Sequence, residues 1–344
     1  MQLEEYLDPD AFVAHHRALA RRIAELSAAG GTARPALAVW PEYVATFLVL
    51  LGRRKEIAGC TTTDQALRRI VTRHPLRLAA VMARHRTRRL APAVLTMLAP
   101  HAHDLYVETF GDIARHLGMW VVAGSGLYPR PRGAEGERPF VARSASVYNT
   151  SYTFAPDGSV AAVTRKVNLV PTQEDVLGLR AGAPGDLGVL DTALGRLSTL
   201  ICYDGFHEPH TSTEPHFVRG AALVDALGAE IVAQPSANAW AWDAPWAFND
   251  AGESQLRSEQ WFAEGMAREM QELRSVRFVV NPQLVGDVLD SHFEAPSLIL
   301  ERKDGHVAVL ARAASVCDEE VLHARVARSP APLGAGGSAE DGGR

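Results

Sequence analysis

Short apolar runs recur along this chain, and two different kinds of connection join them. Some runs are separated only by a turn, at Pro156-Asp-Gly158, at Ala193 to Gly195 and at Asp304-Gly305, which predicts antiparallel hairpins. Others are separated by helix-like segments, the first of which begins at an Asp8-Pro9 cap and ends at Gly30-Gly31. A chain with both connections is predicted to be an α/β protein whose sheets are not purely parallel.

The composition is that of an ordinary globular protein, with 47% hydrophobic and 22% charged residues among 344. A formal net charge of -5 gives no general attraction to nucleic acid or to anionic lipid. No apolar run approaches the roughly 18 residues of a transmembrane helix, and the acidic N-terminal residues are unlike a signal peptide. We therefore expect a cytoplasmic protein without a membrane or nucleic-acid partner.

The three cysteines, Cys60, Cys202 and Cys317, are odd in number and far apart, which argues against a disulfide framework. A reducing compartment fits this pattern. Cys202 follows the apolar run of residues 197–201 and precedes Asp204, so it is predicted at the end of a short buried strand. A lone cysteine in such a place is more often a small buried hydrophobic residue than a nucleophile. Whether Cys202 is a nucleophile therefore depends on which other residues lie near it.

Two further strand-like runs end in charged residues. Glu42 follows the apolar residues 36–39, and Lys166 ends a second run and begins the segment that continues to Glu174. Together with Cys202 they provide a base, a cation and a nucleophile, each at the end of a predicted strand. This combination favours thiol-dependent catalysis over a purely structural cysteine.

These residues lie in three ordered motifs, Pro41-Glu42, Lys166 to Glu174, and Cys202-Tyr-Asp204. The chain thereby resembles the nitrilase superfamily of carbon-nitrogen hydrolases over roughly residues 10 to 312. Further matches are Tyr148-Asn149 and residues 228–236 and 277–281. The resemblance implies an α/β fold of the four-layer αββα sandwich type. It also implies one hydrolase domain over residues 1–327 with a helical insertion at about 53–105, and the Ser, Pro, Gly and Ala-rich residues 328–344 are predicted to be disordered.

The resemblance implies a Glu-Lys-Cys triad in which Cys202 attacks an amide or nitrile carbon to give a thioester. Glu42 would act as general base and Lys166 would stabilise the anion that forms. Glu174 would be a second carboxylate that positions the lysine or the substrate. The backbone N–H of Tyr203 is the expected second oxyanion donor.

Several polar residues near the cysteine are candidates for substrate binding, namely Tyr203, His207, Gln234, Ser236 and Asn238. No metal or other cofactor is expected, because Pro209 prevents His207 and His210 from facing one ion on a helix. The Trp240, Trp242 and Trp246 side chains could line the acyl side of a pocket or serve in packing.

Tyr203-Asp204 follows the cysteine where true nitrilases tend to have Trp-Glu, so the chain looks closer to the amidase and carbamoylase branches. We expect a small-molecule amide as substrate and a homodimer or higher homo-oligomer. Acyl transfer, nitrile hydrolysis and a catalytically silent binding protein remain alternatives. The sequence departs from the family pattern in three places. His207 replaces a proline in a segment that is one residue shorter, Ala295-Pro-Ser297 stands where the family usually has GxS, and the first strand of the family has no clear counterpart before Tyr6.

Residues 53–105 are strongly basic at their start. From Arg53 to Leu90 there are eleven Lys or Arg residues and two acids, an excess of nine positive charges. Apolar residues at helical spacing predict one or two amphipathic helices with a basic outer face. This face could be a solvated surface, a lid or wall for anionic substrates, or a nucleic-acid patch, the last disfavoured because no aromatic residues interleave the basic ones.

Three further predictions concern the framework. A core helix is predicted over Leu105 to Leu117, and a polar surface loop over residues 129–142. A long amphipathic helix is predicted around Phe262, Met266, Met270 and Leu273, because these apolar residues are spaced by three or four.

Overall fold

The computed structural model describes residues 2–29, 35–249, 252 and 254–327. The predicted disordered tail, residues 328–344, lies outside the described residues. The helices are α1 Leu3–Leu7, α2 Pro9–Ala28, α3 Arg54–Ile57, α4 Thr63–Arg73, α5 Pro75–Arg84, α6 Leu90–Leu117, α7 Gly220–Ala226, α8 Arg257–Glu264 and α9 Met266–Glu269. The strands are β1 Leu37–Val39, β2 Trp120–Val122, β3 Gly126–Pro131, β4 Ala142–Phe154, β5 Val160–Arg165, β6 Leu190–Thr192, β7 Gly195–Thr199, β8 Ile231–Ala233, β9 Ser236–Ala237, β10 Phe278–Asn281, β11 Gln283–Leu284, β12 Gly286–Val288, β13 Ser291–Phe293, β14 Leu298–Lys303 and β15 His306–Arg312.

The first sheet contains β1 to β5. Strand β1 pairs in parallel with β2, and β2 pairs antiparallel with the long β4. Strands β3 and β5 both pair antiparallel with β4, and the β4–β5 turn is the predicted hairpin at Pro156-Asp-Gly158. The parallel pair brings the end of β1 to the same edge of the sheet as the end of β2.

The second sheet has the order β15-β14-β10-β8-β7-β6. Its centre is parallel, with β8 between β7 and β10, and its two edges are antiparallel hairpins. These hairpins turn at Ala193 to Gly195 and at Asp304-Gly305, as predicted. The predicted mixture of parallel and antiparallel pairing is therefore confirmed.

The two sheets pack face to face and helices cover their outer faces. Val122 of the first sheet meets Leu197 and Ala233 of the second in an apolar layer. Outside the first sheet, α2 and α6 bury aromatic residues such as Phe12 and Phe110. Outside the second sheet, α7, α8 and α9 cover a separate core. The architecture is the predicted four-layer αββα sandwich.

Helix α6 is longer than predicted, because it begins at Leu90 and not at Leu105. Pro92 and Pro100 in the sequence argue against a continuous helix there. Pro92 lies in the first turn, where a missing N–H costs little, and the stretch from Pro92 to Ala99 is buried. Packing of that buried stretch outweighs the local cost of Pro100. The end of the 53–105 segment is thus continuous with the core helix.

The rest of the basic segment forms three helices, α3, α4 and α5, where one or two were predicted. Their inner faces, which include Ile70 and Leu78, belong to an apolar cluster with Leu179 and Val147. Partly buried residues of the same cluster include Leu169. The segment therefore packs against the chain between residues 169 and 179, which contains Glu174.

Two predicted elements differ in the structure. The helix predicted around Phe262 to Leu273 is two short helices, α8 and α9, separated at Gly265, which has extended dihedral angles. A Cβ at Gly265 would lie 2.3 Å from the Trp261 carbonyl oxygen, so the close approach needs glycine. The predicted loop at residues 129–142 is shorter, because β3 continues to Pro131 and β4 begins at Ala142. Within the described ranges, every helix is too short or too polar to span a bilayer.

Candidate active site

Glu42 lies just beyond the end of β1 and is 1% exposed. Its Oε2 accepts a hydrogen bond from the backbone N–H of Ala237 at 3.1 Å. The following residue, Tyr43, has a φ of 61° and donates its backbone N–H to the Ser125 hydroxyl at 3.0 Å. Burial raises the pKa of Glu42, although the ammonium of Lys166 opposes that rise. Glu42 is therefore a stronger base than an exposed glutamate.

Lys166 follows β5 and is also 1% exposed. Its ammonium Nζ lies 2.9 Å from Glu42 Oε1 and 2.7 Å from Glu174 Oε2. Burial alone would lower the pKa of Lys166, but Glu174 and Glu42 outweigh it and hold this pKa well above its ordinary value. The lysine is thus a permanent cation. Among the described residues, two of its three N–H groups are used, which leaves one for a reacting group.

Asn149 also connects the carboxylates of Glu42 and Glu174, which both contact Lys166. Its Nδ2 donates to Glu42 Oε1 at 2.7 Å and to Glu174 Oε1 at 2.9 Å. The backbone N–H of Val170 donates to Glu174 Oε2 at 3.0 Å, and the buried Tyr43 phenol also hydrogen-bonds to Glu174. Sequence reasoning missed the roles of Asn149 and Tyr43. Strand register carries the signal for Asn149, because Thr150 pairs with Arg165 and so places Asn149 beside Lys166.

Cys202 begins a short 3-10 turn just after β7 and is 5% exposed. Its φ of 48° is in the left-handed region, which is unusual for a residue with a Cβ. Its backbone N–H donates to the Pro235 carbonyl at 2.8 Å, and its own carbonyl accepts from Gln234 Nε2 at 2.9 Å. The thiol Sγ lies 3.9 Å from the carbonyl oxygen of Ala237. The backbone at the cysteine is therefore held firmly in a strained turn.

The thiol is protonated at rest. Burial raises the pKa of Cys202 to about 12, and the negative charge of Glu42 adds to this effect while Lys166 opposes it. A nucleophilic attack by Cys202 therefore requires that a base remove the proton as the new bond forms. Glu42 is the carboxylate of this cluster that was predicted to be the base, and its raised pKa would suit it to that role.

The residues after the cysteine connect it to the lysine segment. Asp204, fully buried, accepts hydrogen bonds from the backbone N–H groups of Val167 at 3.0 Å and Asn168 at 2.7 Å. The Tyr203 N–H has no acceptor among the described residues, as its expected oxyanion role requires. Asp204 thus fixes the chain next to Lys166 relative to Cys202, a role that the sequence analysis did not assign to it.

Burial raises the pKa of Asp204 from 3.8 to about 7, against the lowering effect of its two backbone donors. A carboxyl group that holds its proton more tightly when folded stabilises the fold fully below about pH 4 and loses that contribution as the pH rises to about 7. We expect Asp204→Asn to remove this dependence, a difference on the order of 4 kcal/mol at most. Urea unfolding at pH 4.5 and pH 7.5 measures it.

The matched control is Asp191→Asn, whose carboxylate is 89% exposed in the native protein. This change should leave the pH dependence of the unfolding free energy as it is in the native sequence. Parallel pH curves for the native protein and Asp204→Asn would show that Asp204 titrates as an ordinary carboxylate.

The side chain of Tyr203 does not join this cluster. Its hydroxyl donates to Glu214 Oε2 at 2.9 Å and accepts from the backbone N–H of His210. The two rings of Tyr203 and His210 stack at 3.9 Å. Only the backbone of Tyr203 is therefore placed for a part in the predicted substrate binding.

The structure places His207 elsewhere. Its Nδ1 lies 2.5 Å from Glu269 Oε2 and its backbone N–H donates to the Glu264 carbonyl at 2.7 Å. Glu269 also pairs with Arg219, so the His207 ring belongs to a group of charged residues around α9. The predicted contact of His207 with substrate is not supported, because a position near Cys202 in sequence does not determine the direction of a side chain.

Gln234, Ser236 and Asn238 lie in the segment next to the cysteine, and their hydrogen bonds in the described part of the chain are with other protein groups. Gln234 supports the Cys202 carbonyl, and Ser236 accepts from Asn281 Nδ2 at 2.8 Å. Asn238 Nδ2 donates to two backbone carbonyls, and its Oδ1 accepts from Arg257. These residues therefore shape the site by holding its backbone. In the described part of the chain, no group of three or more His, Cys, Asp or Glu could hold a metal ion.

A family model described as carbon-nitrogen hydrolase matches residues 1–249. The chain belongs to this family, which confirms the resemblance to the nitrilase superfamily. No curated protein sequence matches the chain. A double mutant of the amidase from Nesterenkonia sp. AN1 in complex with acrylamide is 19% identical, covering 90% of this chain and 82% of that one, with a TM-score of 0.50.

Two other solved structures are similar at lower scores. A carbon-nitrogen hydrolase from Helicobacter pylori G27 is 19% identical over 83% of this chain and 87% of its own, with a TM-score of 0.49. Saccharomyces cerevisiae Nit3, a member of branch 10 of the nitrilase superfamily, is 20% identical over 62% of each chain, with a TM-score of 0.42.

Proposed function

We propose that this protein hydrolyses a non-peptide amide bond through a covalent thioester on Cys202. The observation that carries the proposal is the buried group around the main chain of Ala237. The N–H of Ala237 donates to Glu42 and its carbonyl oxygen faces the Cys202 thiol, while Lys166 lies against Glu42. A base, a cation and a thiol are thereby held together away from water, where charge interactions are strong.

In the first half-reaction, the Cys202 sulfur bonds to the amide carbon as its proton passes to Glu42. The negative charge that develops on the amide oxygen is stabilised by the free N–H of Lys166 and the backbone N–H of Tyr203. The carbon-nitrogen bond then breaks, and the proton on Glu42 goes to the departing ammonia or amine. The thioester remains on Cys202.

In the second half-reaction, Glu42 removes a proton from water as the water oxygen bonds to the thioester carbon. The carbon-sulfur bond breaks and releases the carboxylic acid, and the proton returns to the thiolate. Glu174 and Asn149 keep Glu42 and Lys166 in place through both steps. Each step therefore uses a group that is already buried and oriented.

Intact-mass spectrometry tests this proposal. The protein is mixed with a panel of linear amides, carbamoyl compounds and nitriles, and the mass of the acyl group is sought on Cys202. Product analysis with added amine separates hydrolysis from acyl transfer, because a transferase forms a new amide. A protein that gives neither adduct nor product with any member of the panel would contradict the proposal. The expected homo-oligomer remains a prediction.

The basic segment offers a separate prediction. Arg84, Arg86, Arg88 and Arg89 are all exposed, so their charges are screened by solvent and salt. We expect replacement of all four by glutamine to change kcat/KM by less than about threefold, and equally for matched acidic and neutral amides.

The assay is run at two ionic strengths to test the alternative. A loss of kcat/KM confined to the acidic amide, and smaller at high salt, would identify the segment as a wall that attracts anions. Unfolding in urea serves as the control for the fold, since the inner faces of α4 and α5 pack near Glu174.

A further inference from the structure

Arg257, the first residue of α8, is a buried cation within a group of aromatic rings. Only 2% of the residue is exposed. Its guanidinium carbon lies 4.1 Å from the centroid of the Trp246 ring and 4.9 Å from that of Trp261. The rings of Trp240 and Phe206 lie at 5.1 and 6.0 Å. Such rings stabilise a cation by their faces, but they offer it no negative charge.

The hydrogen bonds of Arg257 leave part of the guanidinium free. Its Nε donates to Asn238 Oδ1 at 2.9 Å, and its Nη1 donates to Gln260 Oε1. Both acceptors are neutral amides, and no described carboxylate forms an ion pair with Arg257. Nη2 has no hydrogen-bond partner among the described residues. Of the five N–H groups of the side chain, three are therefore without an acceptor in the described part of the protein.

This cation is close to the proposed nucleophile. Asn238 accepts a hydrogen bond from Arg257 and directly follows Ala237, whose main-chain N–H and carbonyl oxygen contact Glu42 and Cys202. Phe206 and Trp261, two of the rings around the guanidinium, belong to the same apolar cluster as Cys202. The charge of Arg257 also lowers the pKa of the Cys202 thiol, which places the two groups within electrostatic reach.

A buried charge that forms no ion pair with a described carboxylate is unfavourable, because it has lost its hydration. The negative charge of Glu264, whose Oε2 accepts from Gln260 Nε2, raises the pKa of Arg257, but burial outweighs this effect. Burial accordingly lowers the pKa of Arg257 to about 10, so it is still charged at neutral pH. A planar guanidinium with free N–H groups matches the two oxygens of a carboxylate. An incoming anion would complete the missing interaction.

We propose that Arg257 binds the carboxylate of an acidic amide substrate while Cys202 attacks its amide carbon. The inference rests on the proposed amide hydrolysis and adds the class of substrate. It makes Arg257 a specificity-determining residue whose contact is with the non-reacting end of the substrate. The shared chemistry is a carboxylate on either the acyl side or the amine side of the amide.

The first test compares matched acidic and neutral amides in steady-state kinetics. Succinamate and butyramide differ at the acyl side, and N-acetylglycine and N-propylacetamide differ at the amine side. We expect Arg257→Met to lower the ratio of kcat/KM for acidic over neutral amide by about 10- to 100-fold in one of the two pairs, mainly through KM. Arg257→Lys should give an intermediate loss, because it keeps the charge without the paired donors.

The second test needs no turnover. Calorimetry measures the binding of succinamate and N-acetylglycine to Cys202→Ala protein, with Arg257 present or replaced by methionine. We expect the affinity for one of the two acids to fall by about 10- to 100-fold on loss of Arg257. The control is Arg312→Met, because Arg312 also faces an aromatic ring, Phe262 at 5.6 Å, but is exposed.

The outcomes separate this inference from the proposed function. If no amide is turned over but Arg257→Met still weakens acid binding, the proposed hydrolysis fails and the anion site stands. If amides are hydrolysed, Arg257→Met affects the acidic and neutral members of both kinetic pairs equally, and it leaves the affinity for both acids unchanged, the anion site is wrong. Arg257 would then be a structural cation that holds Asn238 and Gln260 in place.

Discussion

Replacement of Cys202 by alanine is expected to abolish amide turnover and the thioester adduct. The thiol is the one group in the buried cluster that can form the covalent bond, so kcat should fall by about 10⁴-fold or more. The fold should survive, because alanine removes one buried sulfur atom and, among the described residues, one side-chain hydrogen bond, from Sγ to the Ala237 carbonyl at 3.9 Å. Product release measured by chromatography, together with intact-mass spectrometry, checks both parts.

The matched control is Cys317→Ala, since Cys317 is exposed and forms no part of the cluster. It should retain the turnover and adduct of the native protein. An adduct that persists in Cys202→Ala and maps to Cys60 or Cys317 would mean that the nucleophile has been assigned wrongly.

Glu42→Gln is expected to slow formation of the thioester by about 10²- to 10⁴-fold. Glutamine keeps the size of the side chain and can still accept from the Ala237 N–H, but it cannot take the proton of a thiol whose pKa is about 12. Single-turnover kinetics followed by rapid quench isolates this step. The native rate should also rise with pH as Glu42 loses its proton, and the variant should lack that rise.

Glu269→Gln is the control, because Glu269 is as deeply buried but pairs with His207 and Arg219 outside the cluster. Its acylation rate should stay near the native value. An unchanged acylation rate in Glu42→Gln would mean that Glu42 is a buried structural carboxylate and that another group accepts the proton.

The sequence was sufficient to predict the ends of strands, and those ends carry the site. Glu42, Lys166 and Cys202 each follow an apolar run that forms a strand, because a run of buried residues stops where polar ones begin. The hairpins were also predictable, since glycine and aspartate at Asp157-Gly158 and Asp304-Gly305 favour tight turns. The residues next to each strand end and each turn are enough to determine them.

Features that depend on distant parts of the chain were not predictable in the same way. Asn149 reaches Glu42 across 107 positions of sequence, and its place is set by the register between β4 and β5. His207 turns toward Glu269 because of where α9 packs. The burial of Arg257 was also not predictable, since a single arginine near tryptophans in the sequence does not show whether it is buried.

Ala237 connects the base and the nucleophile through its main chain alone, by its N–H to Glu42 and its carbonyl oxygen facing Cys202. Strand β9, which contains it, is held by parallel pairing of Ser236 with Gln283 and of Ala237 with Leu284. The alignment of the two reacting groups is therefore insensitive to the identity of the side chain at position 237. It depends instead on a two-residue ladder with a segment more than forty positions later in the chain. Substitutions around β11 can therefore change the chemistry by moving the main chain of Ala237, without replacing any reacting side chain.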